Sequence, residues 1–250
     1  MSSGVMDWGL LWVSRDRVPG VSPVNKFGRN QDVDTATTPE DLWGGGGLYT
    51  GFPTVTSEPV EVLSSDAADA SAGTGLRTVV IQGLNQDWDA ASETITLNGL
   101  TPVQSVNTYR RVNTMRGTTA GSGGFNAGTI TVRHATTEAN VFLAMAPNTN
   151  QSNCSAYTVP AGHTAYLMSS FGTLRGSVNG TADCAFAIRA LGQVFRYRRP
   201  FTISPNFEHN ETLCLPIEIA EKTDIIIRCT SVSVSNLELS AGYDLTLVRN

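Results

Sequence analysis

From residue 60 onward, apolar and polar residues alternate with a period of two. The windows at 60–64 (VEVLS), 77–83 (RTVVIQG), 93–99 (ETITLNG) and 128–134 (GTITVRH) are β-branched runs bounded by Gly, Asn, Asp or Pro, the pattern of half-buried strands. The pattern continues through 141–146, 163–170, 183–190, 194–203 and 223–232 and closes at 243–250. About ten strands at this spacing predict an all-β fold, a two-sheet β-sandwich of jelly-roll type. PEDLW at 39–43 and LPIEIAEKTD at 215–224 are the helix candidates, one turn or two each, which disfavours an alternating βαβ fold. No internal repeat is visible, which argues against a propeller or solenoid.

Residues 1–58 lack a sustained period. Prolines at 19, 23, 39 and 53 punctuate them, and the polar run GRNQDVDTATTPED separates two aromatic clusters. This stretch reads as an extended arm, ordered when docked, with Trp8, Trp12, Phe27, Trp43 and Tyr49 as anchors; residues 59–250 form the sandwich body. Within the arm, DLWGGGGLYTGFP at 41–53 raises the question of a phosphate-binding loop. No Gly-Lys-Ser/Thr follows, no helical period begins at Leu48, and Pro53 comes too soon for a crossover helix, so the glycines read as close-packing punctuation.

Composition narrows the partners. Charged residues make up 16% of the chain and the formal net charge is −5, which argues against a broad nucleic-acid-binding surface. No apolar run approaches the ~20 residues of a membrane-spanning helix. The N-terminal MDWGLLWVSRDR lacks the basic start of a signal peptide and carries Asp7. The four cysteines are widely spaced, without a C-x-x-C pattern, and are read as buried free thiols in preference to disulfides.

Catalytic signatures are missing from the sequence. The three histidines, His134, His163 and His209, have no second ligand at a spacing that would pair them on one strand, so polar strand-end roles are favoured over a metal site. NQDWDAASE at 85–93 superficially resembles a calcium loop, but Ala90 stands where the required glycine belongs, and a hairpin turn explains it as well. GSGGFNAG at 121–128 approaches G-x-G-x-x-G, yet Asn126 occupies the third glycine and a strand follows; a flexible connection is the expectation. There is no G-x-S-x-G. The chain is expected to be no enzyme and to carry no cofactor.

VFRYRRPF at 194–201 is the most informative charged stretch. In a regular strand Arg196 and Arg198 share one face, while Phe195, Tyr197 and Phe201 share the other with Arg199. An arginine pair on an acidic protein suits a carboxylate-bearing partner, against the alternative of a solvated face with local ion pairs. Arg110 and Arg111 raise the same question.

VPGVSPVNKFGRNQDVDTATTPEDLWGGGGLY, followed by DAADASAGTGLRTVVIQGLNQDWDAASETITLNG, resembles a group of virion structural proteins of tailed bacteriophages, especially aquatic ones, which lie among head genes. The resemblance covers about the first hundred residues and YTVPAGHTAYL at 157–167. It implies a capsid decoration or cement protein, located in the virion and assembled in the host bacterial cytoplasm. The implied partners are the major capsid protein or other virion proteins and further copies of the chain, with a trimer favoured; nucleic acid and membrane are not expected. The alternative is a receptor- or glycan-binding head-fibre or tail attachment module.

Overall fold

The computed structural model describes residues 8–15, 17–54, 57–176, 179–205 and 207–250. Among them are a short helix, α1 (Trp8–Ser14), and sixteen strands. The first two are β1 (Val21–Val33) and β2 (Glu40–Asp41). Next come β3 (Glu58–Ser64), β4 (Leu76–Leu84), β5 (Ala90–Thr96), β6 (Val103–Tyr109), β7 (Arg111–Ala120), β8 (Ile130–His134) and β9 (Val141–Met145). The last group is β10 (Tyr157–Thr158), β11 (His163–Arg175), β12 (Ala182–Arg189), β13 (Arg196–Ile203), β14 (His209–Ile219), β15 (Asp224–Val232) and β16 (Leu237–Arg249).

Two sandwiches result, one inserted into the other. The first packs the sheet β1-β16-β11-β14 on the sheet β10-β15-β12-β13, and β2 also pairs with β15. Because β2 lies against Arg228 and Cys229 and β10 against Asp224 and Ile225, the two short strands are halves of one interrupted strand. Counted that way, eight strands run in the order first-eighth-third-sixth against second-seventh-fourth-fifth, the connectivity of a jelly roll.

The second sandwich leaves from the gap in that strand. Its sheets are β6-β3-β8-β9 and β5-β4-β7. Exit and return lie side by side: Trp43 bridges Cys154 antiparallel, the Leu42 N–H donates to Ile227 O at 3.0 Å, and the Ser155 N–H donates to Leu42 O at 3.0 Å. Tyr243 seals the seam from within the jelly roll by donating its hydroxyl to Ser155 O at 2.7 Å.

Each sandwich has its own core, and the β15 sheet is the wall between them. Ile225 and Ile227 face the jelly-roll core with Phe186 and Tyr243, whereas Ile226 and Ala187 face the other core with Trp43, Phe52 and Phe142. A strand buried on both faces needs no polar alternation, which accounts for the unbroken Ile225-Ile226-Ile227 run.

This architecture corrects the arm-and-body division. Residues 21–33 are an integral strand, paired with β16 from Val21↔Val248 to Val33↔Leu237. They show no hydrophobic period because the inward positions are Lys26, Gly28 and Asn30, which face the seam and not apolar core. Gly28 packs so closely on the split strand that a Cβ there would lie 1.8 Å from Leu42 O. The region 59–250 likewise comprises the inserted sandwich and most of the jelly roll. Both helix candidates are corrected as well: β2 runs through the first, and β14 continues to Ile219 in the second.

Candidate functional site

Arg110 and Arg111 lie at the corner between β6 and β7, where the inserted sandwich meets the jelly roll. Arg111 is buried and forms a fork on Asp224, with Nε to Oδ1 at 2.9 Å and Nη2 to Oδ2 at 3.2 Å. Its Nη1 donates to Pro53 O at 2.9 Å and Arg110 O at 2.8 Å. Arg189, from the end of β12, donates Nη2 to Asp224 Oδ2 at 2.7 Å and to Phe52 O at 3.1 Å. Thr158 Oγ1 donates to Asp224 Oδ1 at 2.7 Å. One carboxylate thus gathers two guanidiniums and a hydroxyl from both sandwiches, the arrangement a buried charge requires.

Aromatic rings fill the spaces between these charges. The Arg189 guanidinium lies 4.7 Å from the Phe195 ring centre, and Arg228 reaches the same ring at 5.2 Å while forking onto buried Asp41 at 2.7 and 2.9 Å. Arg110 lies over Trp88 at 4.8 Å and Arg111 at 5.2 Å from the same ring. Trp88 holds φ at 67°, a conformation bulky residues rarely adopt. The Asn85 carboxamide accepts from the N–H groups of Asp87 and Asp89 at 2.9 and 3.0 Å, and the Ala161 N–H donates to Trp88 O at 3.0 Å. These bonds fix the backbone of the turn that carries the indole.

Between Arg110, Arg111, Arg189, Asp224 and Trp88 opens a cavity of about 310 Å³, with Leu191, Gly192 and Gln193 on its other side. The Arg110 Nε is buried without a hydrogen-bond partner among the described residues. Burial first, and then Arg111, lower the Arg110 pKa from its ordinary value, partly offset by Asp87.

Trp43 and Tyr49 also reach this junction. Trp43 is buried, meets the Tyr49 ring edge-on at 5.3 Å, and donates Nε1 to Gly47 O at 3.1 Å; Tyr49 meets Phe52 at 4.7 Å. The glycine stretch is the tight turn through which the chain leaves the jelly roll. Gly46 and Gly47 have φ of 69° and 62°, and the buried Glu40 carboxylate accepts the Gly47 N–H at 3.0 Å. The Gly46 N–H donates to Trp43 O at 3.4 Å, so both amides close on the chain itself.

The remaining anchors lie apart. Trp12 is exposed on α1, Phe27 is half-buried in β1, and the side chain of Trp8 falls outside the described residues. Arg196 and Arg198 are exposed on β13, at the opposite edge of its sheet from β10. The expected strict alternation fails there, because a bulge between Phe186↔Arg199 and Ala187↔Tyr197 makes Arg198 the extra residue. Arg199, from the same stretch, pairs with Glu211 of β14.

The histidines are dispersed. Buried His134 contacts Tyr109 O and Glu58, His163 contacts Ala161 O, and His209 stacks on Phe201 with Nε2 at 2.8 Å from Ser170 Oγ. Among the described residues no group of three His, Cys, Asp or Glu side chains converges on a metal position. Glu93 of the calcium-like segment instead accepts the N–H groups of Val106 and Asn107 at 2.8 and 3.0 Å. All four cysteines are free, Cys214 exposed and the others buried. Nor is 121–128 a loose connection: the Asn126 carboxamide bonds Gly128 O, Ala146 O and the N–H groups of Thr149 and Asn150.

Sequence reasoning missed Asp41, Phe52, Trp88, Arg189, Asp224 and Arg228. The available signal was a charge set within or beside a long apolar run: Asp224 and Arg228 bracket Ile225-Ile226-Ile227, and Arg189 ends the run AFAI.

No family model matches the chain, and no curated protein matches it. Among solved structures it is similar to a chain of the "Structure of infectious bursal disease virus Gt strain", with 10% identity and a TM-score of 0.26, covering 92% of this chain and 73% of that one. A likeness at that level carries no argument about function.

Proposed function

We propose that this chain is a non-enzymatic structural protein of a tailed-phage virion, serving as a capsid decoration or cement protein that works as a homo-oligomer. The observation that carries the reading is the edge formed by β13 and β14, each the terminal strand of its sheet. That edge exposes Arg196 and Arg198, neither with an ion pair among the described residues, together with Tyr197 and Leu215, and the turn joining the two strands exposes Phe207; Phe207 and Leu215 are exposed by 76% and 85%. Soluble proteins commonly blunt or cover such edges; arginines interleaved with apolar side chains suit a protein partner that offers carboxylates. Jelly rolls also serve as capsid and lectin domains, so the fold is compatible with the reading.

The test is co-sedimentation of the purified chain with empty phage capsids. The expected result is binding at a fixed ratio, lost when Arg196→Glu and Arg198→Glu are combined. Capsids that leave the chain in the supernatant sink the cement reading. The second reading, an attachment module, is favoured by the junction cavity, and selective binding on a glycan array would bring it forward.

A further inference from the structure

The junction cavity carries more positive charge than its own carboxylate neutralises. Three guanidiniums and one carboxylate line it. Arg111 and Arg189 are committed to Asp224, but Arg110 makes no ion pair among the described residues and keeps a buried Nε–H without an acceptor. Buried donors left unpaired are uncommon in folded proteins and ask for an explanation. The strained Trp88 backbone asks for one too, since such conformations cluster where ligands are held.

We propose that this cavity binds a small carboxylate-bearing ligand, its carboxylate received by Arg110 and its body lying between the Trp88 indole and Leu191. The chemistry follows from the neighbouring contacts. Asp224 on Arg111 and Asp41 on Arg228 show guanidiniums of this junction receiving planar carboxylates through two N–H groups. The apolar walls of Trp88, Pro53 and Leu191 suit an organic body better than a bare inorganic anion, and Gln193 offers an amide to a hydroxyl. A volume of about 310 Å³ fits a sugar acid or a small polycarboxylate and is at the low end for ligand pockets. The assignment does not rest on the cement reading, because the cavity and the β13–β14 edge share none of the residues argued from.

Calorimetric titration of the full chain with glucuronate and with citrate tests it, with glucose and inorganic phosphate as controls. At least one carboxylate should bind, glucose should not, and Arg110→Gln should weaken binding about tenfold or more. Leu191→Glu, at an exposed position, should also abolish binding by offering Arg110 a carboxylate in place. Its surface location keeps the test valid where Arg110→Gln fails to fold. Absence of carboxylate binding, binding of phosphate alone, or affinity unchanged in both variants would overturn the assignment. A glucuronate-terminated oligosaccharide that binds more tightly than free glucuronate would place the carboxylate on a glycan; equal affinity would place it on a free acid.

Discussion

Arg111 and Asp224 join the inserted sandwich to the jelly roll through a forked ion pair whose side chains are 4% and 5% exposed. Removing one partner of such a pair costs more than the pair contributes, because the other charge stays buried without compensation. Asp224→Asn strands both Arg111 and Arg189 and should cost about 3–5 kcal/mol. Thr158→Ala removes one neutral donor to the same carboxylate and should cost about 1 kcal/mol. Urea unfolding measures both, and an Asp224→Asn midpoint close to that of the unaltered protein would contradict this account of the junction.

Gly28 should be the least replaceable glycine in the jelly roll. A Cβ there would stand 1.8 Å from Leu42 O and 2.7 Å from Ser155 N, both backbone atoms of the interrupted strand, so no side chain can swing aside to relieve it. Gly28→Ala should therefore cost about 3 kcal/mol or more. At Gly46 a Cβ meets nothing within 4 Å, and the substitution carries only the strain of its φ of 69°, about 1 kcal/mol. Thermal melting of the two variants gives the ranking directly; similar melting temperatures would mean that β1 shifts freely at the seam.

Strands were legible where one face meets apolar core. Val79, Ile81, Val60 and Val62 are inward residues of such strands, and their windows coincide with β4 and β3. β1 was hidden because a seam accepts Lys26, Gly28 and Asn30 at inward positions, which erases the hydrophobic period without erasing the strand. β7 was hidden by a run of Thr, Asn and Gly in which Val112 and Met115 are the buried anchors. The insertion was illegible for a different reason. β2 and β10 contribute two residues each, and only their shared partner β15 makes them one strand. Arg110 and Arg111 could be singled out as a doublet, but Asp224 lies 113 residues from Arg111 along the chain, so no local pattern links them.

The inserted sandwich should lose stability in acid through Asp69. This buried carboxylate accepts Ser64 Oγ at 2.6 Å and the Gly128 N–H at 2.9 Å on one oxygen, and the N–H groups of Leu76 and Ala127 at 2.7 and 2.9 Å on the other. Burial alone would raise its pKa, but the Ser64 hydroxyl and the three backbone donors outweigh it and hold the value below that of an ordinary aspartate. Its pKa in the unfolded chain is about 3.9, so the unfolded state takes up the proton first as pH falls. The stabilisation is fully present above that value and is lost as pH drops through the lower folded value. Asp69→Asn should cost about 2–3 kcal/mol near neutrality, because an amide offers one acceptor oxygen and turns N–H donors towards backbone donors. Urea midpoints of the two proteins, followed from neutral pH to about pH 2, should converge as the aspartate protonates. A gap that stays constant over that range would show that the four donors at Asp69 gain nothing from its charge.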